Sequence, residues 1–195
     1  MANVFAIHSV GNSIATYLRN TYPAQIAGRT MPSCTFEAIS CGSLAGDIDE
    51  EPTRITLLLY RATANEHTRQ MQPHTSKAGI SPLTVDLHYL LTAWGGTAAD
   101  EQVIFAWALR QLHEHPLLDA STLSPEAGWA RDEAVQIVPH ELELEDLMRI
   151  WDALDPGYRL SASYIARLVR IDPDETAEYR PVVATRLRYG VEADA

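Results

Sequence analysis

Cysteine is scarce in this chain: its 195 residues include only Cys34 and Cys41. A secreted disulfide scaffold carries more for its size, so a reducing, cytoplasmic compartment is the expectation. Long apolar runs are missing as well. The longest, residues 103–109, falls far short of the roughly 18–20 residues that cross a bilayer as a helix. Residues 1–20 show no basic leader before an apolar stretch, so no signal peptide is expected there. Basic residues are few, with Lys+Arg 15 against Asp+Glu 26 and a formal net charge of −11. No long Lys/Arg cluster offsets the acids, which argues against binding nucleic acid by neutralising phosphates.

What is present is a soluble, globular composition, 46% hydrophobic and 21% charged, in a length that suits one domain. Val4, Ile7, Gly11, Ile14 and Leu18 recur at helical spacing, so residues 3–20 are expected to form an amphipathic helix. Gly11 in mid-helix costs about 1 kcal/mol against alanine, and a close approach of another backbone would account for it. Residues 35–40 read as a short strand. An acidic loop with Asp47, Asp49, Glu50 and Glu51 leads to a β-rich segment at 54–62, expected to be buried on both faces at its centre. In residues 83–94, Val85, Leu87, Tyr89 and Leu91 alternate with Asp86, His88 and Leu90, giving a strand whose first half has one wet face.

Gly95-Gly96 ends that strand. Thr97 with Asp100 then resembles a capping box, opening a helix that runs to His115 before Pro116. Its centre is apolar all round, which predicts a helix sandwiched between layers. Residues 134–138 read as a strand. Leu144, Leu147, Met148, Trp151 and Leu154 define a third helix, with glutamates crowding its first turn where the helix dipole favours them. Trp151, like Tyr164 further on, sits at a periodic position that suits core packing over an interface anchor. Residues 161–171 form a further strand, 172–178 an acidic linker, and 180–189 a last strand-like arm. The fold class is therefore α+β, a mixed, mainly antiparallel sheet of five or six strands with three helices. Residues 1–171 form the domain and 172–195 the linker and arm. Residues 63–82 lack hydrophobic periodicity, and loops of that length are usually functional or disordered.

A search for chemistry finds no catalytic set. His113 and His115 stand about 200° apart around a helix axis and cannot chelate one ion. His67 and His74 lie in the long loop without partners at zinc spacing. Cys34 and Cys41 lack a second pair and are expected to pack as small apolar groups. Around Ser43 the glycines do not flank the hydroxyl as a nucleophile elbow requires. No phosphate-binding glycine loop and no calcium loop is present. No cofactor or metal is implied.

Several segments together resemble one family. They are Asn65-Glu66-His67 with Arg69, residues 82–94, Ala108-Leu109 with Leu112-His113 and Pro116, residues 135–139, residues 145–154, and Tyr158-Arg159-Leu160-Ser161 with Tyr164, Arg167 and Val169. Their order and spacing over roughly residues 4–171 are similar to a domain first catalogued as one of unknown function (DUF4255). That domain is the N-terminal part of the sixteenth protein of Photorhabdus virulence cassette and antifeeding prophage clusters. The resemblance implies a tail-terminator-like fold and a non-enzymatic cap of a contractile injection particle. It also implies the partners: further copies in a homohexameric ring, the inner-tube protein and the sheath protein, with no nucleic acid, membrane or cofactor. Assembly would take place in the bacterial cytoplasm, and the chain would stay in the finished particle. Some relatives continue into a longer C-terminal region.

A ring needs head-to-tail contacts that close. In the long loop, Asn65, Glu66 and Arg69 are candidates for polar contacts and Met71 for an adaptable apolar one. In the arm, Arg180, Arg186 and Arg188 make a basic strip beside Leu187 and Tyr189, suited to adding as a strand to a neighbour's sheet edge. The alternatives are a small hydrolase or transferase without a recognisable motif, and a monomeric protein-binding adaptor.

Overall fold

The computed structural model describes residues 2–44, 53–65, 82–154 and 156–173. In chain order the elements begin with helix α1 (Ala6–Thr21), hairpin strands β1 (Gln25–Ile26) and β2 (Arg29–Thr30), and strand β3 (Thr35–Ile39). Strands β4 (Arg54–Ala64) and β5 (Leu83–Trp94), helix α2 (Ala98–Glu114) and strand β6 (Leu117–Leu118) follow. Strand β7 (Val135–His140), helix α3 (Leu144–Asp152) and strand β8 (Ser161–Ile171) complete the domain. Six strands form one sheet in the order β3-β4-β5-β8-β7-β6, and β1-β2 pair separately. Only β3 and β4 are parallel; every other neighbouring pair is antiparallel. This is the expected mixed, mainly antiparallel α+β arrangement.

Alternation along the central strands gives the sheet two different faces. Ile55 and Leu57 of β4, with Val85, Leu87, Tyr89, Leu91 and Ala93 of β5, point into the main core. There α1 contributes Val10, Ile14 and Leu18, and α2 contributes Ile104, Trp107 and Leu112. Tyr22 and Phe36 both meet Trp107 edge-on, and each other at a tilt, where the end of α1, β3 and α2 converge, with ring centroids 4.8–5.7 Å apart. The other face carries a smaller core of Leu44, Leu58, Leu90, Trp94 and Trp151, closed by α3. Both sequence-chosen aromatics, Trp151 and Tyr164, are buried.

Three expectations need correcting. Val4 lies before α1 and is exposed; the buried stripe is Ala6, Val10, Ile14 and Leu18. Helix α2 is not sandwiched: Val103 is 45% exposed, because only one side of the helix meets the sheet. Gly11 faces side chains, not a backbone. A Cβ there would meet Ala38 Cβ at 3.4 Å and the Tyr89 ring at 3.5 Å, which is ordinary contact. Gly11→Ala should therefore raise stability by about 0.5–1 kcal/mol through helix propensity. Thermal unfolding checks this, and a lower midpoint would show that the contact has no room.

Candidate interaction site

The described chain leaves β4 at a hydrogen-bonded base, and residues 66–81, expected to form a long loop, lie outside the described residues. Asn65, the first residue past β4, donates its backbone N–H to Thr84 O at 2.8 Å. Its side-chain amide donates to Asp86 Oδ2 at 2.9 Å. The other oxygen of Asp86 accepts the backbone N–H of Leu168 at 2.8 Å. Leu168 stands at φ +59°, which costs a non-glycine residue about 1–2 kcal/mol, and the Asp86 hydrogen bond offsets part of that. Two register shifts flank the same end of β5, one at Leu59/Arg61 toward β4 and one at Val85/Leu87 toward β8. Bulges of this kind re-aim side chains and sharpen twist. Here the β8 bulge leaves Leu168 half-exposed. Asp86 thus couples Asn65, at the end of β4, to a projecting apolar residue, although nothing in the local sequence marks Leu168 as bulged.

Of the sequence-chosen contact residues, the structure places Asn65 alone. Glu66, Arg69, Met71, Arg180, Arg186, Leu187, Arg188 and Tyr189 lie outside the described residues, as do His67 and His74.

The face that carries α3 also holds a polar strip. Tyr60 Oη and Ser163 Oγ are 3.0 Å apart, and Thr63 Oγ1 lies 3.2 Å from His88 Nε2. The His88 and His140 rings meet edge-on at 5.6 Å. Burial holds the His88 imidazole below the ordinary histidine range, and His140 and the Arg61 guanidinium push it the same way. Among the described residues no three histidine, cysteine or carboxylate side chains gather where a metal could bind. His113 lines a hollow with His140, whereas His115 turns toward Tyr17 of α1, so the two diverge. Cys34 packs against the main core, and burial pushes its thiol up to about 12. Cys41, expected to pack as an apolar group, is instead exposed on a short 3-10 turn (Cys41–Leu44).

The sequence matches the family described as the Pvc16 N-terminal domain over residues 9–185. The chain belongs to that family. Two solved structures share the fold of this Pvc16 N-terminal domain. One is the sheath/tube terminator of an extracellular contractile injection system, PVC, in its extended state, at 16% identity and TM-score 0.56. The other is the anti-feeding prophage cap, a tube-terminating cap, at 18% identity and TM-score 0.55. The alignments cover 96% and 92% of this chain but only 65% and 60% of those chains. At such identity the likeness is one of fold. No curated protein matches.

The family match passes the expected domain boundary at 171/172. Asp172 itself belongs to the folded body: it is buried, donates its N–H to Ala2 O at 2.8 Å, and accepts from Arg170 Nε at 2.8 Å. Among the described residues no helix is long and apolar enough to cross a membrane.

Proposed function

We propose that this Pvc16 N-terminal domain is a structural subunit that caps a contractile injection particle. As a homohexameric ring it would sit at the end far from the baseplate, engage tube and sheath, and stop their polymerisation. The observation that carries this reading is a family match over residues 9–185 joined to a shared fold with a sheath/tube terminator and a tube-terminating cap.

Contacts in this reading come from the two segments singled out in the sequence. Asn65, Glu66, Arg69 and Met71 of the long loop reach a neighbouring subunit or the tube ring. Arg180, Arg186, Leu187, Arg188 and Tyr189 of the arm add to a neighbour's sheet edge. The exposed edge strand β3 is a place of that type.

Deleting the gene should yield particles of uncontrolled or unstable length in electron micrographs, and deleting residues 70–79 should do so in part. Particles of normal length and normal ends in the full deletion would sink the cap reading. Truncation after Asp172 tests the arm separately: a folded monomer that no longer forms rings supports it, and an unfolded chain assigns the segment to the chain's own sheet.

A further inference from the structure

The apolar arc of α3 is wider than the sheet it covers. Leu147, Ile150, Trp151 and Leu154 pack toward the second core, whereas Leu144 is 68% exposed and Met148, one turn on, is 39% exposed. Carboxylates of Glu141, Glu143, Glu145 and Asp146 surround this rim, and Glu145 pairs with Arg149.

On the opposite face of the sheet, the β1-β2 hairpin stands away from α2 and leaves a hollow of about 600 Å³. Ile26, Met31 and Pro32 form one wall, and Val103, Ala106 and Trp107 of α2 form the other. The hairpin turns through Ala27 and Gly28, both at positive φ, as a two-residue turn of the primed type. Two cations rim the hollow. Arg29 makes no ion pair among the described residues, and Arg110 has a loose, exposed one with Glu114 at 3.8 Å. The one acid there, Asp100, accepts the Thr97 hydroxyl at 2.8 Å in the helix cap.

We propose that the Leu144–Met148 rim of α3 in one copy docks into the hairpin–α2 hollow of a second copy. An apolar knob ringed by acids meets an apolar recess rimmed by arginines, so shape and charge agree. The two surfaces lie on opposite faces of the sheet and cannot meet within one molecule. Their pairing is head-to-tail, the contact type that closes rings. This contact gives the proposed ring a specific joint and rests on that reading for its biological use.

The test uses the full chain carrying Cys41→Ser, because that thiol is exposed. Leu144→Cys and Val103→Cys variants are mixed, mildly oxidised and separated without reductant. Covalent dimers should be about tenfold more abundant in the mixture than in either variant alone. Arg29→Glu with Arg110→Glu on the hollow-bearing partner should cut the yield about tenfold, and Glu143→Arg with Asp146→Arg on the other should restore it. All these positions are exposed, so each variant should fold, with the parent unfolding midpoint kept by the cysteine and Arg29/Arg110 variants and lowered slightly by Glu143→Arg with Asp146→Arg, which oppose the helix dipole at the start of α3. Absence of mixed dimers, or equal dimers from Leu144→Cys alone, would overturn the contact. Particle length separates the two ideas. Cross-linking with no length defect in the gene deletion removes the cap reading and keeps the contact, and the reverse result removes only the contact.

Discussion

Replacing Trp151 with alanine should lower the unfolding free energy by about 3–5 kcal/mol, the range for deleting a buried aromatic. Trp151 is 2% exposed and is the only fully buried residue of α3. Its ring meets Trp94 at 6.2 Å and Tyr158 at 6.4 Å, among Leu44, Leu58 and Leu90. A helix of nine residues is marginal alone, so α3 depends on this anchor to stay on the sheet. Its indole N–H is buried without an acceptor among the described residues. Trp151→Phe therefore loses volume but no hydrogen bond, and should cost only about 1 kcal/mol, since it also removes an unpaired donor. Denaturant unfolding of both variants decides the matter. An alanine variant within 1 kcal/mol of the parent would mean that α3 is held by something other than this ring.

Much of this architecture was legible because its signals are local. The strand at 83–94 combines β-formers with a Gly-Gly stop, and β5 spans Leu83–Trp94; its expected wet face is not wet beyond Asp86, because α3 and the second core bury Leu90 and the neighbouring strands bury His88. Thr97 and Asp100 announced the start of α2, and Asp100 N–H does donate to Thr97 Oγ1 at 3.1 Å. Two-residue strands such as β1, β2 and β6 are too short to carry a periodicity that the sequence could show. The face of a uniformly apolar helix is equally silent, since residues 103–109 do not say which side meets the sheet. In the interaction site, Asn65 stood out but its partner Asp86 did not. That pair joins residues 21 apart, and the Leu168 bond joins residues 82 apart. Such pairings depend on register, which one strand's pattern cannot supply.

Ser9→Ala should cost about 2–4 kcal/mol and Ser13→Ala about 1–3 kcal/mol, because each strands buried hydrogen-bonding groups. Both serines are fully buried in α1, where helix propensity alone would prefer alanine. Their hydroxyls hold the segment after β6 against the helix. Ser9 Oγ donates to Ser124 O at 2.9 Å and accepts the Trp129 indole N–H at 2.8 Å. Ser13 Oγ accepts the Ser124 N–H at 2.8 Å and donates to Ser9 O at 2.6 Å. Both backbone groups of Ser124 are thus satisfied by two side chains one helical turn apart. The Ser9 change strands two partners, Ser124 O and the indole, and so should be the larger. Since the two hydroxyls share Ser124, the double variant should lose less than the sum of the singles, by about 0.5 kcal/mol or more. Urea unfolding of the four-member cycle measures that difference. Strictly additive losses, or a Ser9→Ala variant as stable as the parent, would mean that water satisfies Ser124 and that apolar packing alone docks this segment.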